Sequence, residues 1–127
     1  MRRIRIVAPW NVPISKKKKF HPNLNQYRNS HYQILNKAKH IYSELLEEQL
    51  KDIEPFNKVR VTLTAFPPTK RKFDNDNLAP HMKFFLDAIV QSGLLKDDHY
   101  EIVTETIHNV GNIDKDNPRV EFLIEEL

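Results

Sequence analysis

The chain has 127 residues, of which 39% are hydrophobic and 29% charged, with a formal net charge of +3 and no cysteine. This size suits one domain with a single core, and the composition is typical of a folded, soluble protein. The lack of cysteine excludes disulfides, thiolate-bound zinc and thiol nucleophiles. No apolar run could span a membrane and the N-terminus lacks the apolar segment of a signal peptide, so we expect a cytoplasmic protein.

The first third of the chain predicts one strand, a loop and one helix. Residues 2–8 alternate between apolar and charged side chains, which is typical of a strand with one buried face. Residues 11–30 show no periodicity and predict an exposed basic loop. Residues 31–51 carry a helical apolar stripe, with Ser30 as the expected N-cap.

The remainder predicts three strands and a second helix. Residues 58–66 alternate cleanly, a helix begins near Pro80 and ends at Gly93, and two further strands cover 100–107 and 119–125. The order β-α-β-α-β-β indicates an α/β (α+β) fold. We expect a four-stranded mixed sheet whose last two strands form a hairpin, with both helices packed on it.

The charges are distributed unevenly. No Asp or Glu precedes Glu44, and a second segment without acids runs from Lys58 to Lys72. Such asymmetry predicts an anionic partner, and the phosphate backbone of DNA is the candidate. The expected DNA-binding residues lie on two loops, 11–30 and 69–73: Lys16, Lys17, Lys18, Lys19, Arg28, Lys70, Arg71 and Lys72.

Aromatic residues are interleaved with the first group of cations. Trp10, Phe20 and Tyr27 lie on either side of Lys16–Lys19. Either DNA bases stack on these rings while the cations contact phosphates, or the rings dock on the protein core. The sequence favours neither interpretation.

An acidic segment directly follows the second basic loop. Its ionisable residues are Asp74, Asp76, Lys83, Asp87, Asp97 and Asp98. If strands 58–66 and 100–107 are neighbours, we expect the Asp74–Asp76 loop to approach Asp98 across one edge of the sheet. Converging carboxylates repel one another unless a cation neutralises them.

Carboxylates without Cys or clustered His select a hard ion, Mg²⁺, with Mn²⁺ as a possible substitute. A water bound to such an ion has a lowered pKa and attacks phosphodiesters. Lys83 would add positive charge at the phosphate or orient that water. The pattern therefore predicts a metal-dependent nuclease.

Simpler interpretations remain open. Asp74 and Asp76 could cap the following helix, Asp97-Asp98 could form a polar turn, and Lys83 with Asp87 could be a surface ion pair. The protein would then be a non-catalytic nucleic-acid-binding module. A hydrolase of small phosphate esters is a third hypothesis, although such a substrate does not need so long a basic segment.

The spacing of these residues resembles that of the RusA-type Holliday junction resolvases. The matching residues are Asp74-Asn75-Asp76-Asn77-Leu78, Lys83, Asp87-Ala88, Gly93 and Asp97-Asp98. The resemblance covers about residues 58–108. About three extra residues lie around Ala79-Pro80-His81, so Lys83 is matched by its distance to Asp87.

The resemblance implies that Asp74, Asp76 and Asp98 are catalytic acids that bind Mg²⁺, and that Lys83 is the catalytic lysine. Asp97 and Asp87 would be accessory. It also implies a bacterial or phage homodimer that resolves four-way DNA junctions by paired symmetric nicks, in recombination and repair. A two-fold dimer has one site for each of the two strands cut.

Overall fold

The computed structural model describes residues 1–127 as one α/β unit with six strands and three α-helices. The strands are β1 Arg3–Pro9, β2 Val12–Pro13, β3 Lys19–Phe20, β4 Val59–Phe66, β5 Val103–Val110 and β6 Arg119–Glu126. The helices are α1 Leu24–Asn29, α2 Tyr32–Leu50 and α3 Ala79–Gln91, with a 3₁₀ turn at Asn75–Leu78. No helix combines the length and apolarity needed to cross a membrane.

The main sheet has the order β1-β6-β4-β5. Strand β4 is parallel to β5 and antiparallel to β6, and β6 is antiparallel to β1. The predicted four-stranded mixed sheet is thus confirmed. The predicted hairpin of the last two strands is wrong, because β6 lies between β1 and β4 and does not pair with β5.

The core lies on one face of this sheet. Residues Val59, Val61, Leu63 and Ala65 alternate inward along β4 and are fully buried. Helices α2 and α3 contact each other and share the core with this face, as predicted. The opposite face is polar, and arginines along it are paired with carboxylates: Arg3 and Arg60 with Glu125, and Arg5 and Arg119 with Glu121.

The segment 11–30 is more ordered than the predicted loop. Strands β2 and β3 form a small hairpin that carries Lys16–Lys18 at its tip, and α1 follows. Val12 and Phe20 are fully buried, so Phe20 belongs to the core. The predicted N-cap is also wrong, because Ser30 ends α1 and the His31 side chain accepts the hydrogen bond that caps α2.

The start and end of α3 agree with the sequence prediction. Pro80 lies in its first turn, where no backbone N–H is needed. Gly93 follows its last turn with φ +88°, a left-handed conformation that glycine adopts without steric cost.

The two edges of the sheet differ in their protection. Along the β1 edge, the Gln49 side-chain amide accepts from Val7 N at 2.8 Å and donates to Val7 O at 2.7 Å. The outer edge of β5 pairs with no strand. An unpaired edge strand is a surface on which another strand can pair.

Candidate functional site

Asp74 and Asp76 lie beyond the C-terminal end of β4, at the start of the 3₁₀ turn. Both are exposed, and neither carboxylate takes part in a salt bridge within 4.0 Å or in a side-chain hydrogen bond. Asp74 precedes the turn with an extended backbone, yet its side chain makes no capping bond. The capping interpretation of Asp74 is therefore wrong.

Asp97 and Asp98 lie at the other end of the same pair of strands. They precede β5, and Asp97 borders a surface depression with Lys58 and Ile102. Its carboxylate accepts from Asp98 N at 2.7 Å, a bond between neighbouring residues, and the backbone of the two aspartates forms no turn. The Asp98 carboxylate is exposed and has no partner.

The expected convergence of these acids within one chain is wrong. Strands β4 and β5 are neighbours, as the argument required, but they are parallel, with Val59 opposite Val103 and Ala65 opposite Val110. The six residue intervals between these ends span roughly 20 Å at about 3.3 Å per residue. No group of three His, Cys, Asp or Glu side chains in the chain could hold a metal ion.

Lys83 and Asp87 also separate. Lys83 is exposed and makes no ion pair, whereas Asp87 contacts Lys39 of α2 at 3.1 Å and links the two helices. The expected Lys83–Asp87 pair is not formed. Lys83 lies only about 6 Å along α3 from Ala79, so it stays at the Asp74–Asp76 end.

The predicted DNA-binding residues belong to two segments that leave the sheet at this end. Pro9 of β1 and Phe66 of β4 are both opposite Arg119 of β6, so the segments that follow β1 and β4 leave the sheet at the same end. All eight cations are exposed, and none takes part in a salt bridge. The arginines along the polar face of the sheet are all paired with carboxylates, whereas these eight cations are not.

A cavity of about 460 Å³ opens between these two segments. Trp10, His21 and Asn25 line it from one segment, and Arg71 and Phe73 from the other. A hydrogen bond from Leu24 N to Asn77 Oδ1, 3.0 Å long, fixes α1 against the 3₁₀ turn. The sequence drew attention to Trp10, the cations and Asn77-Leu78, but it did not indicate that they share a cavity with His21 and Asn25. Residues some 50 positions apart carry no common spacing signal.

A buried histidine lies behind the cavity. His81 is fully buried, and its Nδ1 is 3.2 Å from the Tyr42 hydroxyl. Burial, and to a lesser extent the neighbouring His21, lowers the pKa of His81 to about 3, against a smaller opposite effect of the Trp10 backbone. Burial also lowers the pKa of His21, whose Nδ1 donates to the Trp10 carbonyl at 3.0 Å.

We predict that His81 makes the protein sensitive to acid. Its folded-state pKa of about 3 lies below the unfolded value of 6.5, so its stabilisation is complete above pH 6.5 and falls as the pH drops. One proton taken up on unfolding costs about 1.4 kcal/mol per pH unit. Urea titrations between pH 6.5 and 4.5 should show this slope in Tyr42→Phe. The slope should be smaller by about this amount in Tyr42→Phe/His81→Phe, which keeps the contribution of His21, whose pKa burial also lowers. Equal slopes in the two variants would contradict the prediction.

Comparisons with known proteins assign no family to the chain. Neither a scan against protein-family models nor a search of curated proteins found a match.

Proposed function

We propose that the chain is a Mg²⁺-dependent endonuclease of the RusA type, acting on branched DNA as a homodimer. One observation carries the proposal: free carboxylates lie directly beside free cations. Asp74 follows Lys72 by two residues, yet neither side chain pairs with the other or with any third residue. Acids left without partners suit a metal ion, and cations left without partners suit phosphates.

A dimer would bring together the acids that one chain keeps apart. Two copies of an edge strand related by a two-fold axis pair antiparallel. Pairing through β5 would therefore set the Val110 end of one copy beside the Val103 end of the other. Asp74 and Asp76 would then share one end of the joint sheet with Asp98 of the partner subunit.

The apolar surface supports pairing at this edge. Tyr100, Val110 and Ile113 lie on or beside β5 and are 81%, 45% and 46% exposed. The edge of β1 carries the Gln49 amide instead. The open, partly apolar β5 edge is therefore the better surface for a second copy.

The residues then have separate roles. Asp74, Asp76 and Asp98 of the partner subunit would hold Mg²⁺, which would supply charge neutralisation and a water of lowered pKa. Lys83, free of ion pairs, would face the phosphate charge from the start of α3. The basic loops would hold the DNA backbone without reading its sequence.

The direct test is nicking of a labelled four-way junction with Mg²⁺. We expect Asp76→Asn to reduce nicking by about a hundredfold or more, because a charge-stabilising group at the reaction centre is lost. Junction binding should be retained or tightened, since a negative charge near DNA is removed. Asp116→Asn is the matched control, because Asp116 is an exposed acid without a partner, in the loop before β6.

Equal nicking by both variants would contradict the metal site. Junction binding with no Mg²⁺-dependent product from the unmodified protein would instead favour the non-catalytic nucleic-acid-binding module.

A further inference from the structure

The cavity beside Asp74 has the size and lining of a small-ligand site. Its volume of about 460 Å³ lies within the usual range for such pockets. One wall is aromatic: Trp10 is 4.8 Å from His21 and 6.2 Å from Phe73 between ring centroids. The ring planes are tilted by 36° and 58° relative to Trp10, so the rings form an angled aromatic cleft. A single exposed aromatic face in such a cleft is enough to stack on a nucleic-acid base regardless of sequence.

The polar groups of the cavity are mostly donors. Asn23 Oδ1 accepts from Gln26 N at 2.8 Å, and Asn77 Oδ1 accepts from Leu24 N at 3.0 Å. Because both oxygens are engaged, the free ends of these two amides are N–H₂ groups. Arg71 and Lys72 add further donors at the rim.

His21 supplies one acceptor. Its Nδ1 lies 3.0 Å from the Trp10 carbonyl, which can only accept, so Nδ1 carries the proton. Burial lowers the pKa of His21, which keeps the ring neutral at pH 7. Its Nε2 is then an unprotonated acceptor among several donors.

We infer that this cavity binds one unstacked nucleobase and that thymine matches it best. The inference depends on the proposed function in one respect: the base is taken to come from DNA. The aromatic wall stacks on the ring, and the amide donors meet carbonyl oxygens. Thymine has two carbonyl acceptors on either side of a single ring N–H, which suits a lining rich in amide, Arg71 and Lys72 donors. Adenine accepts only at ring nitrogens, and its amino group turns two further N–H donors toward that donor-rich lining.

The position of the cavity links base binding to the acids. Phe73 lines the cavity and directly precedes Asp74, and Lys72 lines it at the rim. A base held here leaves its own phosphate near these cations, next to the Asp74–Asp76 turn. The cavity therefore selects which unpaired nucleotide is presented to the site.

Trp10 reports directly on occupancy, because it is the only tryptophan of the chain. The test is a fluorescence titration of the whole protein in EDTA, which prevents cleavage. The ligands are short oligonucleotides of equal charge: one fully abasic, one with a single thymine, and one with a single adenine. We expect the thymine ligand to quench Trp10 and to bind about tenfold more tightly than the abasic ligand, as stacking on one base provides.

A matched pair of variants places the base in the cavity. Asn25 lines the cavity, whereas Asn29 lies one turn further along α1, and a 2.9 Å hydrogen bond joins the two side chains. Asn25→Phe and Asn29→Phe both break this bond and add the same ring, but only the first puts it in the place of the base. We expect Asn25→Phe to lose the preference for thymine over abasic ligand, and Asn29→Phe to keep it.

Three outcomes would overturn the inference. They are equal binding of thymine and abasic ligands, equal effects of the two variants, and adenine binding as tightly as thymine. The nicking assay is independent of all three. If the protein cuts junctions but shows no base preference, the proposed nuclease function stands and only the base-binding role of the cavity is wrong. A protein that binds no oligonucleotide at all would lose the proposed function as well.

Discussion

A heterodimer of Asp76→Asn with Asp98→Asn should nick four-way junctions, although each variant alone should be inactive. In a shared site, Asp74 and Asp76 of one subunit act with Asp98 of the partner subunit. The heterodimer then has one site with both substitutions and one site with neither. We expect about half the nicking rate of the unmodified dimer, since one of two symmetric sites remains.

The products should also change. One intact site cuts one strand, so the heterodimer should accumulate singly nicked junctions and few resolved duplexes. Differently tagged subunits, purified by both tags in succession, supply the heterodimer free of either homodimer. The measurement is the yield of nicked and resolved products on native and denaturing gels.

The matched control is the heterodimer of Asp74→Asn with Asp76→Asn. These two acids belong to the same half of a shared site, so both sites carry one substitution and the heterodimer should be inactive. If each site were contained in one chain, both heterodimers would be inactive. That result would contradict the proposed site shared between subunits, which is the arrangement that brings Asp74, Asp76 and Asp98 together.

A comparison of the predicted and observed strands shows which features of the fold are encoded by the local sequence. Alternation predicted β4 and β6 almost to the residue, because each has one fully buried face. The pairing predicted for the last two strands was wrong, since period-two alternation does not determine which strands become neighbours. The structure shows the difference in burial that goes with this order: Phe122 of the central strand β6 is fully buried, whereas Thr104 and Thr106 of the edge strand β5 are exposed.

The separation of the acids follows from the direction of two strands. Sequence reasoning placed Asp74 after one strand and Asp98 before its neighbour, and both positions are correct. In an antiparallel pair, these positions would share one end. In a parallel pair they lie at opposite ends, and the 13-residue helix α3 is the crossover between them. The helix predicted between the two strands indicated a parallel pair if they were neighbours, and the expected convergence did not take that strand direction into account.

We predict that Val110→Lys weakens the dimer about a hundredfold. Val110 is 45% exposed on β5, and pairing through this edge would bury it in both subunits. Burial of the exposed part of this valine contributes about 1 kcal/mol per subunit. The desolvation of each introduced lysine charge adds to this, so two symmetric losses amount to about 3 kcal/mol. Sedimentation equilibrium measures the change in Kd, and nicking should fall with the dimer fraction.

Val7→Lys is the matched control on the opposite edge of the sheet. Val7 is 40% exposed on β1, where the Gln49 amide already occupies its backbone N–H and C=O. The same substitution there should leave the dimer unchanged. Added positive charge near the basic loops favours DNA binding, so a loss of nicking in Val110→Lys alone cannot arise from weaker attraction to DNA. Equal dimer affinities for the two variants would show that β5 is not the dimer interface. The proposal of a shared acidic site would then be wrong, because it depends on pairing through β5.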